Sequence, residues 1–425
     1  MSRLTISNGL ILDPVTQSVK TSSIYIADDN IIAIDHKPDD FEAEQTIDAS
    51  GLIISPGLVD LCARLREPGL EYKADIDSET RAAASAGITT LCCPPDTDPV
   101  IDEPAVVELI HRKAAMAAHA NVLTLGALTN GLEGRLLSEM SALRAAGCVG
   151  VSNSRNPVAN TLILRRACAY AANCDMTVFI EPDDHWLSAG GCAHDGPVAT
   201  RLGLQGIAVS AETVAISTAL ELILETGVKA HFGRLSSAHG VELIRRAKEQ
   251  GMNITADVSA HQLFLNEMDI NSFNSMCHVL PPLRSRRDME ALRQGVRDGV
   301  IDAICSDHQP HEPDAKQAPF ASTQPGISAL ETLLPLTLRL VREQVVPTYS
   351  ALSLLTTRPA AILGINAGVL AVNRPADICV YDPELEWQLD PSSMLSRGRN
   401  TPFSGWSFQG KARYTIRGGA LIHAS

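Results

Sequence analysis

The sequence is short of several things at once. Aromatic residues are 4% of the 425, and no apolar run approaches the roughly 20 residues that a membrane-spanning helix needs. Basic residues are outnumbered, 35 to 49, giving a net charge of −14. A chain this acidic is a poor nucleic-acid or anionic-membrane binder. There is no C-x-x-C pair, and apart from Cys92-Cys93 the ten cysteines stand singly. That pattern reads as reduced cytosolic thiols, not a disulfide framework or a zinc ribbon. The opening Met1-Ser-Arg-Leu-Thr-Ile has no export pattern, so a cytoplasmic location is expected. No G-x-G-x-x-G or Walker sequence is found, which argues against a doubly wound nucleotide-binding sheet.

What is present is alternation. Eight short β-branched or apolar runs fall at 52–61, 88–93, 122–127, 148–152, 177–181, 228–232, 253–258 and 301–306. Stretches with helical spacing separate most of them, among them 102–118, 135–146, 158–172, 212–225, 241–250 and 287–297, and 330–341 follows the last. Eight strands alternating with helices over about 300 residues predict an α/β fold, a (β/α)₈ TIM barrel. The first 50 and last 60 residues read instead as short strands parted by Asn, Gly and Asp turns. Neither end buries enough apolar surface alone, so one small β domain built from both termini is expected. The predicted division is 1–55 and 361–425 for that domain and 56–360 for the barrel.

In such a barrel, chemistry sits just beyond the C-terminal ends of the strands. Those positions carry Asp60-Leu-Cys62-Ala-Arg64-Leu-Arg66-Glu-Pro-Gly69, Pro94-Pro-Asp96, Asn153-Ser-Arg155, Glu181-Pro-Asp-Asp184, Arg234-Leu-Ser236 and Asp307-His308-Gln-Pro-His311. With Pro56-Gly-Leu-Val-Asp60, Ala86-Gly-Ile-Thr-Thr90, Pro281-Pro-Leu-Arg284, Arg358-Pro-Ala360 and Asn400-Thr-Pro-Phe403 they form an ordered set spanning nearly the whole chain. In that set the chain resembles the dihydroorotases of the amidohydrolase superfamily, metal-dependent hydrolases of a cyclic amide.

The resemblance implies metal ligands at a His-x-His after strand 1, at strands 4, 5 and 6, and at an aspartate after strand 8. At those positions this chain has Cys62 and Arg64, then Asn153, Glu181 and Arg234, and it keeps only Asp307. Arginine offers no lone pair and stays protonated. The expectation is therefore no metal, no other cofactor and no catalytic residue. The substrate pocket implied by the resemblance is partly kept, in Arg66 and His311, and partly altered, by Asp96 and Leu280 where the family has asparagine. The two new arginines are expected to pair with Asp307 or Glu181, because an unpaired buried carboxylate is costly.

Each residue also has a plainer reading. Arg66 could pair with a carboxylate such as Asp96. Cys62 is expected to be an inert buried thiol, and His231 a hydrogen-bonded core histidine. His308 and His311 are not expected to ligate a metal by themselves. Arg284, Arg286, Arg287, Arg293 and Arg297 are expected on a solvated helix face.

The chain closely resembles a non-catalytic dihydroorotase-like chain of some bacteria. That similarity implies a partner, the aspartate transcarbamoylase catalytic chain, within a large hetero-oligomer of pyrimidine biosynthesis. The alternatives are an amidohydrolase with altered or metal-poor chemistry, and a sensor binding a carboxylated pyrimidine precursor through Arg66 and His311.

Overall fold

The run 52–61 is not one strand but two. In the computed structural model, which describes residues 3–425, it divides at Gly57 into Ile53–Pro56 and Leu58–Asp60. The first half pairs with Arg3–Asp13 and Ile378–Gln388, the second with Ile88–Cys93. A Cβ on Gly57 would lie 2.2 Å from the Thr89 hydroxyl oxygen, so only glycine lets the chain step between the two sheets here.

The second sheet is the barrel. Its strands are Leu58–Asp60, Ile88–Cys93, Asn121–Ala127, Gly150–Ser152, Thr177–Ile180, Ala230–Phe232, Ile254–Ser259 and Ala303–Cys305, each parallel to the next. Strand 8 returns to strand 1 through a bridge between His308 and Ala63. There Arg64 N donates to His308 O at 2.9 Å and His308 N to Cys62 O at 3.2 Å. Most strand residues are buried on both faces, as helix-covered parallel strands require, which explains why the runs read as continuously apolar.

Helices lie where the spacing put them, at Pro104–Ala117, Met140–Ala145, Thr161–Asn173, Val209–Thr226, Ala238–Glu249, Arg286–Arg297 and Leu330–Arg342. A further helix, Ile76–Ser85, is started by Asp75, whose carboxylate accepts from Ser78 N at 2.7 Å.

The terminal sheet runs Ala420–Ala424, Ser407–Arg417, Ile378–Gln388, Ile53–Pro56, Arg3–Asp13, Ser18–Ala27, Asn30–Ile34, with Gln45–Asp48 also on Arg3–Asp13. Its core mixes Leu4, Ile6, Ile24, Ile26 and Ile54 from one end with Ile378, Val380 and Ile416 from the other. The helix Thr357–Leu363 crosses position 360, and Ile362, Ile365 and Ala367 pack on the barrel's inner cluster. Residues 361–367 therefore keep company with the barrel.

Between Gln388 and Ser407 the chain leaves the sheet and straps the barrel. Asn400 Oδ1 accepts from His311 N at 2.8 Å, and its amide donates to Gln309 O and Gly326 O. Ser396 Oγ and Arg397 N donate to the two oxygens of buried Glu79, at 2.7 and 2.9 Å. Glu331 Oε1 accepts from Leu395 N and Ser396 N at 2.9 and 3.2 Å.

Burial pushes the Glu331 carboxyl up to about 7; the strap's two N–H donors and Lys411 oppose this, and Glu79 adds to it. A carboxyl raised on folding stabilises the native state below its unfolded value near 4.5, and that stability is lost as pH rises through 7. The loss is about 3 kcal/mol. Glu331→Gln should remove this slope, so urea unfolding of the variant should vary less between pH 5 and pH 8 than that of the unaltered chain. Equal slopes would refute the assignment.

Candidate functional site at the barrel mouth

Strand ends 1, 5, 6 and 8 bring Cys62, Arg64, Glu181, Arg234 and Asp307 together on the barrel axis. Arg64 reaches three carboxylates: Nε lies 2.7 Å from Asp96 Oδ2, Nη1 3.4 Å from Asp307 Oδ1 and Nη2 3.6 Å from Glu181 Oε1. Arg234 Nη2 lies 2.5 Å from the same Glu181 oxygen, and its Nε 3.8 Å from Asp307 Oδ1. The expected pairing is thus present, and it is a network, not a single bridge. Both arginine side chains are 8% exposed, Glu181 6% and Asp307 2%. Arg66, Arg234 and Asp307 all hold positive φ, 65°, 57° and 48°, which disfavours any residue with a Cβ. The pairs hold two of these three strand-end residues in place.

The electrostatics follow from this packing. Burial works against both guanidinium charges, yet the surrounding acids hold Arg64 and Arg234 firmly protonated. Burial raises the Asp307 carboxyl to about 6, with Arg234 and Arg64 pulling the other way. Asp96, more exposed, is held below its ordinary value against burial by Arg64. The cavity beneath the pairs, lined by Cys62, Phe179, Glu181, His231, Arg234 and Asp257, has a volume of about 10 Å³. That is room for about one water.

Asn153 does not join the cluster. Its Oδ1 accepts from Thr129 Oγ1 at 2.7 Å and its amide donates to Asn156 O at 2.9 Å, so it closes its own loop. Leu280 is half-buried and precedes Pro281 in the loop carrying Arg284. Arg66 does not pair with Asp96; Arg64, two residues earlier, has taken that carboxylate. Arg66 Nε instead donates to Pro310 O at 3.0 Å, and Nη2 lies 3.2 Å from His311 Nε2.

His311 Nδ1 faces Lys73 Nζ at 3.2 Å, and its Nε2 faces Pro325 O at 2.9 Å. Lysine can only donate, so the ring carries its proton on Nε2. Burial, then Arg66 and the lysines, push His311 down to about 2. Lys73 was not among the expected site residues; nothing in its sequence neighbourhood distinguishes it from a surface lysine.

Asp257 was missed as well. It accepts from His231 Nε2 at 2.9 Å and, through Oδ1, from Arg234 N at 2.6 Å, so it anchors the backbone that aims Arg234. An acid inside the apolar run 253–258 was the signal available. His231 is the core histidine expected, its other nitrogen 2.8 Å from Thr255 Oγ1. His308 faces Glu79 at 2.7 Å and lies apart from His311's contacts.

The basic helix reading needs correction at Arg284 and Arg293. Arg284 is 3% exposed and donates to Ser236 Oγ, while Arg293 pairs with Glu343 and Arg297 donates to Val345 O. Arg286, Arg287 and Arg297 are exposed and fit the solvated face, Arg286 pairing with Glu290.

All ten cysteines are free, and all but Cys174 are buried. Burial raises the Cys62 thiol well above its usual range, so it stays protonated despite Arg234 and Arg64. In native protein at pH 8, Ellman's reagent should titrate Cys174 at most, and all ten thiols after denaturation. Fast labelling of Cys62 would contradict the buried assignment.

Comparison with known proteins agrees with this architecture. Residues 51–239 match the Dihydro-orotase-like family and residues 199–422 the Amidohydrolase family. A "Dihydroorotase-like protein" of Pseudomonas aeruginosa is 46% identical over 99% of each chain, and one of Pseudomonas putida 45% over the same share. A "Dihydroorotase" of Syntrophotalea carbinolica is 41% identical, again over 99% of both. Among solved structures, an L-hydantoinase (dihydropyrimidinase) from Arthrobacter aurescens superposes with a TM-score of 0.89 at 23% identity, covering 100% of this chain and 96% of that one. Dihydropyrimidinase from Brevibacillus agri gives 0.86 at 20% identity, covering 99% and 95%; both likenesses establish the fold. The barrel with its terminal sheet, and the full-length identity to these relatives, place the chain in the dihydroorotase-like family of the amidohydrolase superfamily.

Proposed function

We propose that this chain is a non-catalytic dihydroorotase-like subunit whose metal centre has been replaced by ion pairs. The observation that carries the reading is the pairing of Arg64 and Arg234 with Glu181 and Asp307. The residues there do not fit a divalent cation. Zinc wants about four N, S or O donors. Here two of the positions are cations, the Cys62 thiol is protonated, and the carboxylates already face guanidinium groups. Asn153, at the strand-4 position, is spent on its own loop.

The residues support a structural role. Arg64, Arg234, Glu181 and Asp307 tie strands 1, 5, 6 and 8 across the mouth. On this reading the partner is the catalytic chain of aspartate transcarbamoylase, in a cytoplasmic hetero-oligomer of pyrimidine biosynthesis. The partner follows from the family resemblance.

The test has two arms. Protein purified without chelator should hold far less than one zinc per chain and should neither hydrolyse dihydroorotate nor cyclise carbamoyl aspartate. Co-expression with the aspartate transcarbamoylase of the same organism should yield a larger species by light scattering than either chain alone. Stoichiometric zinc with turnover would favour the alternative, an amidohydrolase with altered chemistry on a cyclic amide. Chains that elute separately would remove the partner.

A further inference from the structure

A second cleft lies away from the barrel mouth, where the helix Leu330–Arg342 meets the terminal sheet. It has a volume of about 310 Å³, at the lower end of the range for small-molecule sites. Leu334 and Pro335 from that helix and Trp387 from the strand Ile378–Gln388 form its apolar walls. The Trp387 ring is fixed: Nε1 donates to Gly410 O at 3.1 Å and the ring packs 5.3 Å from Phe408.

Three ionisable side chains line the same space, Glu331, Lys411 and His423. Glu331 uses Oε1 for both backbone donors of the strap, and Oε2 takes no hydrogen bond from the described residues. Lys411 Nζ stands at the rim, 5.0 Å from the centre of the Trp387 ring. Glu331 and Lys411 feel each other electrostatically, but among the described residues no ion pair joins them. Lys411 also lowers His423, after burial, so His423 is neutral and adds hydrogen-bonding capacity without charge.

Above pH 7, where Glu331 is ionised, a carboxylate and an ammonium group held apart across an apolar cleft are complementary to a ligand carrying the opposite pair. A lone anion would meet Glu331 and a lone cation would meet Lys411, so each gains one partner and one repulsion. We propose that this cleft binds a small zwitterion of the α-amino-acid class with an apolar side chain. Its ammonium group lies against Glu331 Oε2, its carboxylate against Lys411, and its side chain against Trp387, Leu334 and Pro335. The site is independent of the barrel-mouth reading, since none of the mouth residues lines it.

Calorimetric titration of the full chain tests this with L-phenylalanine, L-leucine and L-methionine as probes. At least one should bind. For L-phenylalanine, the analogues 3-phenylpropionate and 2-phenylethylamine, each missing one charged group, should bind about tenfold more weakly, the loss of one charge-assisted contact. Glu331→Gln should weaken the amino acid about tenfold and bind 3-phenylpropionate at least as tightly as the unaltered chain does. Lys411→Ala, at an exposed position, should weaken the amino acid and bind 2-phenylethylamine at least as tightly as the unaltered chain does, which keeps the test open should Glu331→Gln disturb the strap. No binding by any of the three amino acids, binding of both analogues as tightly as L-phenylalanine, or insensitivity to both substitutions would overturn the site.

Discussion

Arg234→Ala should destabilise the fold by about 3–5 kcal/mol, the cost of stranding a buried partner. Both partners are nearly closed to solvent, so screening by water offers little relief. The substitution leaves Glu181 facing only Arg64, at 3.6 Å, and Asp307 facing Arg64 at 3.4 Å. It also opens space above a cavity that now holds room for about one water. The double variant Arg234→Met with Glu181→Gln should recover part of the loss, because it removes one charge of each sign together. Urea unfolding of the unaltered chain, Arg234→Met, Glu181→Gln and the double variant measures the coupling. A single-variant loss below about 1 kcal/mol would mean that the pairs behave as surface bridges do.

The second large effect concerns activity. The triple variant Cys62→His, Arg64→His, Arg234→His should remain without measurable dihydroorotate hydrolysis, even with zinc supplied. Three histidines would return nitrogen donors, but Asn153 stays turned into its loop and Glu181 remains where the resemblance implies another histidine. Asp96, freed of Arg64, would present an uncompensated negative charge beside an anionic substrate. Groups that act as a unit are strongly non-additive, so partial restoration returns little. The triple variant should also unfold more easily, since it removes both guanidinium groups from Glu181 and Asp307. Turnover near that of an active family member would show that the pocket had lost much less than its metal ligands.

The legible part of this protein was whatever local pattern dictates. Strands buried on both faces write continuous apolar runs, so seven of the eight barrel strands, and most of the helices between them, could be read with shifts of a few residues at their ends, the helix Ile76–Ser85 being missed. The first run was misread as one strand because the change of sheet at Gly57 depends on Thr89, some thirty residues away. The inward-pointing positions at the strand ends were also legible, since a barrel puts them at fixed places after each strand.

Partner choice was not legible in the same way. Nothing in the order of residues says that Asp96 goes to Arg64 instead of Arg66. The two arginines differ in which way the strand-1 end turns, Arg66 at φ 65° reaching back to Pro310 and His311. The same holds for Asn153, closed onto Thr129 by a loop whose shape no spacing records.

By itself, then, the sequence determined the barrel, the two-ended sheet and the identity of the side chains at the mouth, because periodicity and residue chemistry are local properties. Only the tertiary structure decided which charges meet, that Glu79 and Glu331 bind the strap, and that Glu331 and Lys411 stay apart across a cleft. Electrostatic pairing falls off over a few ångströms, and distances on that scale between residues far apart in the chain exist only once the strands and helices have packed.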